Sequence, residues 1–320
     1  MRHFLRDDDV TSDEQRQILA RGLALKADRF VEKPFAGPHT VAVVFDKSST
    51  RTRVSFATGI ADLGGSPLVI DASGSQMGRG EPIADTARVL SSMCSMIVWR
   101  TFGQERIDEM ARYSAVPVVN ALTDQFHPCQ ILADLLTVAE VKGGLAQSGP
   151  ALAGRSFAYL GDGANNMSQS YLLGCALAGM DVRIGCPESL SPDPEVVQAA
   201  EQIAATTGGR VSVTHSAQEA VEGVDVVATD TWASMGNEEA GHAAEPILAP
   251  YRVTAELMAL GKDAVFMHCL PAYREHEVTS EVIDGPASVV WREAENRLHA
   301  QKGLMAWLMD PQQHDQAPRD

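Results

Sequence analysis

The stretch Val41-Ala42-Val43-Val44-Phe45-Asp46-Lys47-Ser48-Ser49-Thr50-Arg51-Thr52-Arg53 decides the fold. Its first five residues are apolar and rich in Val, the pattern of a strand covered on both faces. A helical pattern begins near Ser49. A strand that turns directly into a helix is half of a parallel βα unit. The helix start also has chemistry of its own. Free backbone N–H groups and the positive dipole end suit phosphate. Ser49, Thr50 and Thr52 add hydroxyl donors, and Arg51 can fork two hydrogen bonds onto phosphate oxygens. A Ser or Thr cap followed by solvated arginines would be ordinary. Two arginines and three hydroxyls within residues 49–53, directly after a strand, are not ordinary.

The same alternation continues outward. Strands are predicted at Pro67–Ile70, Ser95–Arg100 and Val116–Asn120, and a helix over His127–Val141. Residues 142–154 are rich in Gly and interrupted by Pro150, which marks a domain boundary. Beyond it, strands are predicted at Ser156–Leu160, Asp181–Gly185, Arg210–Thr214, Asp225–Thr229 and Asp263–Met267. Helices are predicted at Asn166–Ala178, Asp193–Thr206 and Pro250–Leu260. Repeated βα units imply an α/β fold with two domains, each a parallel sheet flanked by helices. The expected domains are 1–141 and 142–287. A last helix, Ser288–Met309, returns to complete the first, and the polar tail from Pro311 frays.

Composition narrows the function. The 320-residue chain is long for one hydrophobic core and comfortable for two. Its formal net charge of -16 argues against a nucleic-acid partner, which needs a basic face. An anionic substrate would require arginines concentrated locally. The five cysteines include no CxxC pair, so no disulfide framework, zinc knuckle or other metal site is expected. Reduced thiols fit a cytoplasmic location. The charged N-terminus lacks the apolar run of a signal peptide. No stretch approaches the roughly 20 apolar residues of a membrane span, so no membrane partner is expected.

Other polar groups fall at strand ends and helix starts. Arg100 ends a strand, and His127 and Gln130 open a helix about one turn apart. Ligands of open α/β sheets gather at the carboxyl ends of strands. A lone His at a helix start is about as often a surface residue as a catalyst. Several such groups at one sheet edge make a site.

These residues carry a resemblance. Ser49-Thr-Arg-Thr-Arg53, Trp99-Arg-Thr101 and His127-Pro-Cys-Gln130 closely resemble the carbamoyl-phosphate motifs of the aspartate and ornithine carbamoyltransferase family. Asp230-Thr-Trp-Ala-Ser-Met-Gly236 and His268-Cys-Leu-Pro271 look like its ornithine branch. The likeness runs from about residue 2 to residue 309 and keeps the order and spacing of the motifs. It implies transfer of a carbamoyl group from carbamoyl phosphate to the side-chain amine of L-ornithine, in arginine metabolism, without a cofactor. It implies that Ser49, Thr50, Arg51 and Thr52 hold the phosphate and that Arg100 bridges phosphate and carbonyl oxygen. His127 would donate to that oxygen. Gln130 and the main-chain carbonyls around Cys269 and Leu270 would accept from the carbamoyl NH2. Arg297 would reach the same substrate. Gln76 matches a residue that enters a neighbouring subunit's site, which implies a homotrimer or a multiple of one. Asn166, Asp230, Ser234 and Met235 would bind ornithine, with Asn165 as the adjacent alternative. The chain has Ser48 where the family often has Asn, and Tyr273 where it often has His.

The implied chemistry is attack of a neutral amine on a carbonyl carbon, with Arg100, His127 and Thr52 as oxyanion donors. Cys269 reads as a wall of the amine pocket. A nucleophilic thiol would need a base aimed at it, and neighbouring His268 would point to the opposite face of an extended chain. Two other classes remain. Gly161-Asp-Gly-Ala-Asn-Asn166 with Glu188 is a partial dinucleotide fingerprint without its third glycine. A non-catalytic binder of phosphorylated metabolites would keep Ser49–Arg53 but would not need His127, Gln130 or Cys269. Within the family, the rival acceptors are aspartate, putrescine and acetylated ornithine.

Overall fold

The computed structural model describes residues 1–71, 74, 76–232 and 244–311. Two compact units emerge: Met1–Leu136 with the described residues from Asn296 on, and Thr137–Glu295.

The first unit contains α1 (Ser12–Ala27), β1 (Thr40–Phe45), α2 (Thr50–Asp62), β2 (Ser66–Asp71), α3 (Ile83–Met93), β3 (Met96–Arg100), α4 (Gln104–Tyr113) and β4 (Val118–Leu122). The helix α5 (Pro128–Val141) begins in it. Its sheet is parallel, in the order β2-β1-β3-β4. Residues Val41 to Val44 have no exposed surface, as a central strand requires. Val44, Ile97, Trp99, Ile107 and Met110 belong to one core cluster beneath this sheet. β4 starts two residues later than expected, because Pro117 cannot donate to the ladder and Val118 is the first residue in register with Ile97.

From Asn296 on, the last helix, α11 (Val290–Leu308), lies in this first unit. A Cβ at Gly303 would meet the Ile18 carbonyl oxygen at 2.6 Å, so α1 and α11 approach as closely as backbones allow. Fully buried Lys302 lies 3.3 Å from the Asp62 carboxylate at the end of α2. This anchorage matters for the site, because it carries Arg297.

The second unit contains β5 (Ser156–Leu160), α6 (Asn166–Leu177), β6 (Asp181–Gly185), α7 (Pro194–Thr207), β7 (Arg210–Thr214), α8 (Ala217–Val221), β8 (Val226–Thr229), α9 (Ala255–Met258), β9 (Val265–His268) and α10 (Ser280–Ile283). Its parallel sheet runs β7-β6-β5-β8-β9. The single helix expected over Pro250–Leu260 is instead a 3-10 turn, Ala249–Tyr251, and the short α9. Val253 between them forms a parallel bridge with Val278, and Thr254 caps a fresh helix start. Among the described residues, no helix is long and apolar enough to cross a membrane.

Candidate active site

In the first sheet the chain order reverses around β1, so the connections leaving β1 and β3 diverge. Such a switch point opens a crevice at the carboxyl ends of the strands. Two of the groups singled out in the sequence sit there. Ser49 caps α2, its Oγ accepting from the Thr52 N–H at 3.3 Å and donating to Thr52 Oγ1 at 2.9 Å. The first turn of α2 contains no acidic residue to cancel the dipole. Arg100 follows a register shift between Trp99 and Arg100 in the pairing of β3 with β4. A local irregularity of this kind re-aims the side chain at a strand end. The Arg100 side chain is buried.

The two arginines of the opening motif divide. Arg53 is engaged with the Asp71 carboxylate at 2.6 Å and lies over the Phe45 ring. Arg51 is half-buried.

A buried chain of hydrogen bonds joins three elements. Arg297 of α11 donates from Nη2 to Thr52 Oγ1 at 3.2 Å and from Nη1 to Gln130 Oε1 at 2.6 Å. Gln130 of α5 donates in turn from Nε2 to Asp134 Oδ1 at 2.7 Å. Thr52, Gln130, Asp134 and Arg297 are each at most 3% exposed. His127, just before α5, is 4% exposed. Burial pushes its pKa well below the usual range, and the nearby Arg297 and Arg100 guanidinium groups push the same way. Burial thus favours the neutral imidazole. Gln76 lies elsewhere, on an exposed turn lining a small apolar pocket with Val44, Ile70, Met77 and Leu90.

The second sheet has its own switch point, at β5 and β8. The carboxyl ends of β5, β8 and β9 lead to Asn166, Asp230 and Cys269. Asn165 caps α6, accepting from the Ser168 N–H at 2.9 Å and donating to the Tyr159 hydroxyl at 2.7 Å. Both ends of its amide are engaged. Asp230 Oδ1 accepts from the Thr231 N–H at 2.7 Å and from Cys269 Sγ at 3.0 Å. Burial, then the Asp230 charge, raises the Asp162 pKa against the opposing pull of the Ala164 N–H. Burial, then Asp230 and Asp162, raises that of Tyr159 well above its usual value. This end of the sheet is a negative field, suited to an ammonium group. Ser234 and Met235 lie outside the described residues.

Asp230, His268 and Cys269 present a carboxylate, an imidazole and a thiol within 4.8 Å of one another. His268, however, has both ring nitrogens committed. Nδ1 accepts from the Leu270 N–H at 2.9 Å, and Nε2 faces the buried Glu277 carboxylate at 3.2 Å. It is neither a convenient metal ligand nor a base aimed at the Cys269 thiol. Instead it holds Leu270 in a left-handed conformation (φ 59°), a strained state for a residue with a side chain. The partial dinucleotide fingerprint has a packing reason: a Cβ at Gly163 would meet the Leu190 carbonyl oxygen at 2.6 Å and Cys186 Sγ at 2.7 Å, so the glycine is required by neighbouring protein atoms.

Asp134, Tyr159 and Glu277 were not singled out in the sequence. The i, i+4 spacing of Gln130 and Asp134 on one helix was the available signal for the first. Nothing local pointed to the other two.

Comparison with known proteins agrees with this division. Residues 2–140 match the carbamoyl-P binding domain of aspartate/ornithine carbamoyltransferases, and residues 153–308 match their Asp/Orn binding domain. An ornithine carbamoyltransferase of Bifidobacterium longum subsp. infantis is 59% identical over 99% of this chain and 98% of its own length. One from Clavibacter sepedonicus is 59% identical over 96% of this chain and 98% of its own. The solved ornithine carbamoyltransferase of Pyrococcus furiosus superposes with a TM-score of 0.90 at 42% identity, covering 96% of this chain and 97% of that one.

Proposed function

The chain belongs to the aspartate/ornithine carbamoyltransferase family, and from that membership and the two sets of residues above we propose how it works. It is an ornithine carbamoyltransferase. It transfers the carbamoyl group of carbamoyl phosphate to the side-chain amine of L-ornithine, giving citrulline and phosphate. The observation that carries this reading is the buried Thr52–Arg297–Gln130 chain. It sets anion donors beside an amide acceptor, as a ligand with a phosphate at one end and an NH2 at the other demands.

In this reading Ser49, Thr50, Arg51 and Thr52 hold the phosphate, and Arg297 completes its cradle. Arg100 spans the phosphate and the carbonyl oxygen. Neutral His127 donates to that oxygen, and Gln130 accepts from the NH2. The ornithine amine, deprotonated, attacks the carbonyl carbon. Negative charge develops on the oxygen, where Arg100, His127 and Thr52 stabilise it, the C–O bond to phosphate breaks, and the departing phosphate takes the proton that the attacking nitrogen sheds. One fixed donor of this kind is worth about 100- to 1,000-fold in rate. Asp230 receives the α-ammonium of ornithine, Asn166 its carboxylate, and Cys269 walls the amine pocket. Ser234, Met235 and the Leu270 main chain keep their family roles in this reading. We further propose a homotrimer, or a multiple of one, in which Gln76 serves a neighbour's site, and a cytoplasmic location.

The test is product stoichiometry. Purified protein supplied with both substrates should release one phosphate for each ureido group formed. Phosphate release that does not depend on ornithine would instead mark a phosphatase, and no catalysed release at all a passive binder.

A further inference from the structure

An amide is directional. Its oxygen only accepts and its nitrogen only donates. If Gln130 presented its NH2 to the carbamoyl NH2, two donors would face each other. The side-chain orientation of Gln130 is therefore a functional variable, and the fold fixes it at both ends. Arg297 Nη1 can only donate, and it lies 2.6 Å from Gln130 Oε1. Asp134 Oδ1, a carboxylate oxygen, lies 2.7 Å from Gln130 Nε2. Rotating the amide by half a turn would set donor against donor at one end and acceptor against acceptor at the other. Gln130 is fully buried and Asp134 is 1% exposed, so water is a poor substitute for either partner.

We infer that Asp134 is a positioning residue: it holds the Gln130 amide with its oxygen toward the carbamoyl NH2. Asp134 sits one helical turn after Gln130 on α5, so the two side chains share a face. Arg297 binds the amide from the other side. Asp134 touches no substrate in this account. It separates carbamoyl phosphate from bare phosphate, because only the former carries an NH2. The inference rests on the reading of Gln130 as the NH2 acceptor.

The test compares two ligands in the intact protein. Asp134→Leu should lower kcat/KM for carbamoyl phosphate about tenfold or more, the effect of one buried polar group left unmatched. Inhibition by inorganic phosphate, competing with carbamoyl phosphate, should change less than about twofold, since the phosphate donors are intact. Asp134→Asn, which retains an acceptor oxygen, should restore activity to within about threefold of wild type. Equal weakening toward both ligands would overturn the inference, and so would an Asn variant as poor as the Leu variant. If Asp134→Leu does not fold, an isosteric pair decides. Gln130→Glu faces a carboxylate with a carboxylate and should lose carbamoyl phosphate. Adding Asp134→Asn restores a donor and should recover at least part of the loss. No recovery overturns the inference. Gln130→Ala keeps the two failures apart. If it is as active as wild type, the reading of Gln130 itself is wrong. If it is impaired while Asp134→Leu is not, only the positioning role falls.

Discussion

The two units solve different recognition problems and look different for it. The first presents Thr52, Gln130, His127 and Arg297 at 4% exposure or less, and Arg297 ties Thr52 and Gln130 by side-chain hydrogen bonds across three elements. The second presents Asn166, Asp230 and Cys269 half-buried at three adjacent strand ends. In the proposed reading the first is matched to one small ligand of fixed shape, and the second mainly by charge. We expect damage to the first to remove chemistry and damage to the second to change which amine reacts.

The largest expected effect lies in the first unit. Arg51→Ala should reduce turnover by at least about 100-fold, the scale of a lost preorganised donor. The melting temperature should stay close to wild type, because Arg51 is not a core residue. Near-normal turnover with an unchanged melt would remove the phosphate assignment.

Next comes Asp230→Asn, which sharpens the contrast. It should lower kcat/KM for ornithine about 10- to 100-fold through loss of a charge-assisted contact. The KM for carbamoyl phosphate should hardly move. Equal changes in both parameters would mean that the two sets of residues do not divide the work.

Mixing Gln76→Ala with Arg51→Ala then tests whether the first unit's site is shared between subunits. Each variant alone should be nearly inactive, and hybrids of the proposed trimer would contain sites free of both changes. Partial recovery of activity is expected after subunit exchange. Confirmed exchange with no recovery would remove Gln76 from the site.

How much of this was legible in the sequence follows the same contrast. Buried parallel strands are uninterrupted apolar runs, so nearly all of their positions could be read to within two residues. The helices α1, α3 and α4 carry mixed, charged sequences and were not assigned. The phosphate motif is local, and Ser49 to Arg53 could be read directly. Which arginine is engaged with Asp71, and which asparagine caps α6, are tertiary facts. So are the return of Arg297 to Thr52 across 245 positions and the burial of His268 against Glu277. The resemblance supplied Arg297, whereas spacing alone could not.

The smallest effect concerns protons. His127 has a depressed pKa in the folded protein, caused first by burial. Below its unfolded value, about 6.5, the unfolded chain binds a proton that the folded chain resists. Stability should therefore be fully present above about pH 6.5 and decline as pH falls. Wild type should lose more melting temperature between pH 7.5 and 5.5 than His127→Gln does. Parallel declines would mean that the imidazole is not held neutral. In the same range His127 should add no acid limb to turnover. Activity should rise steadily toward alkaline pH as the ornithine amine, with a pKa of about 10.4, loses its proton.

The most direct test of the central claim is a comparison of kcat/KM for ornithine, aspartate, putrescine and acetylornithine at saturating carbamoyl phosphate. In the proposed reading Asp230 repels the side-chain carboxylate of aspartate and loses its ion pair with an acetylated amine. Putrescine leaves the carboxylate donors unmatched, at about 1–3 kcal/mol. Ornithine should exceed each of the others by at least about tenfold. A kcat/KM for any rival equal to or above that for ornithine would contradict the account.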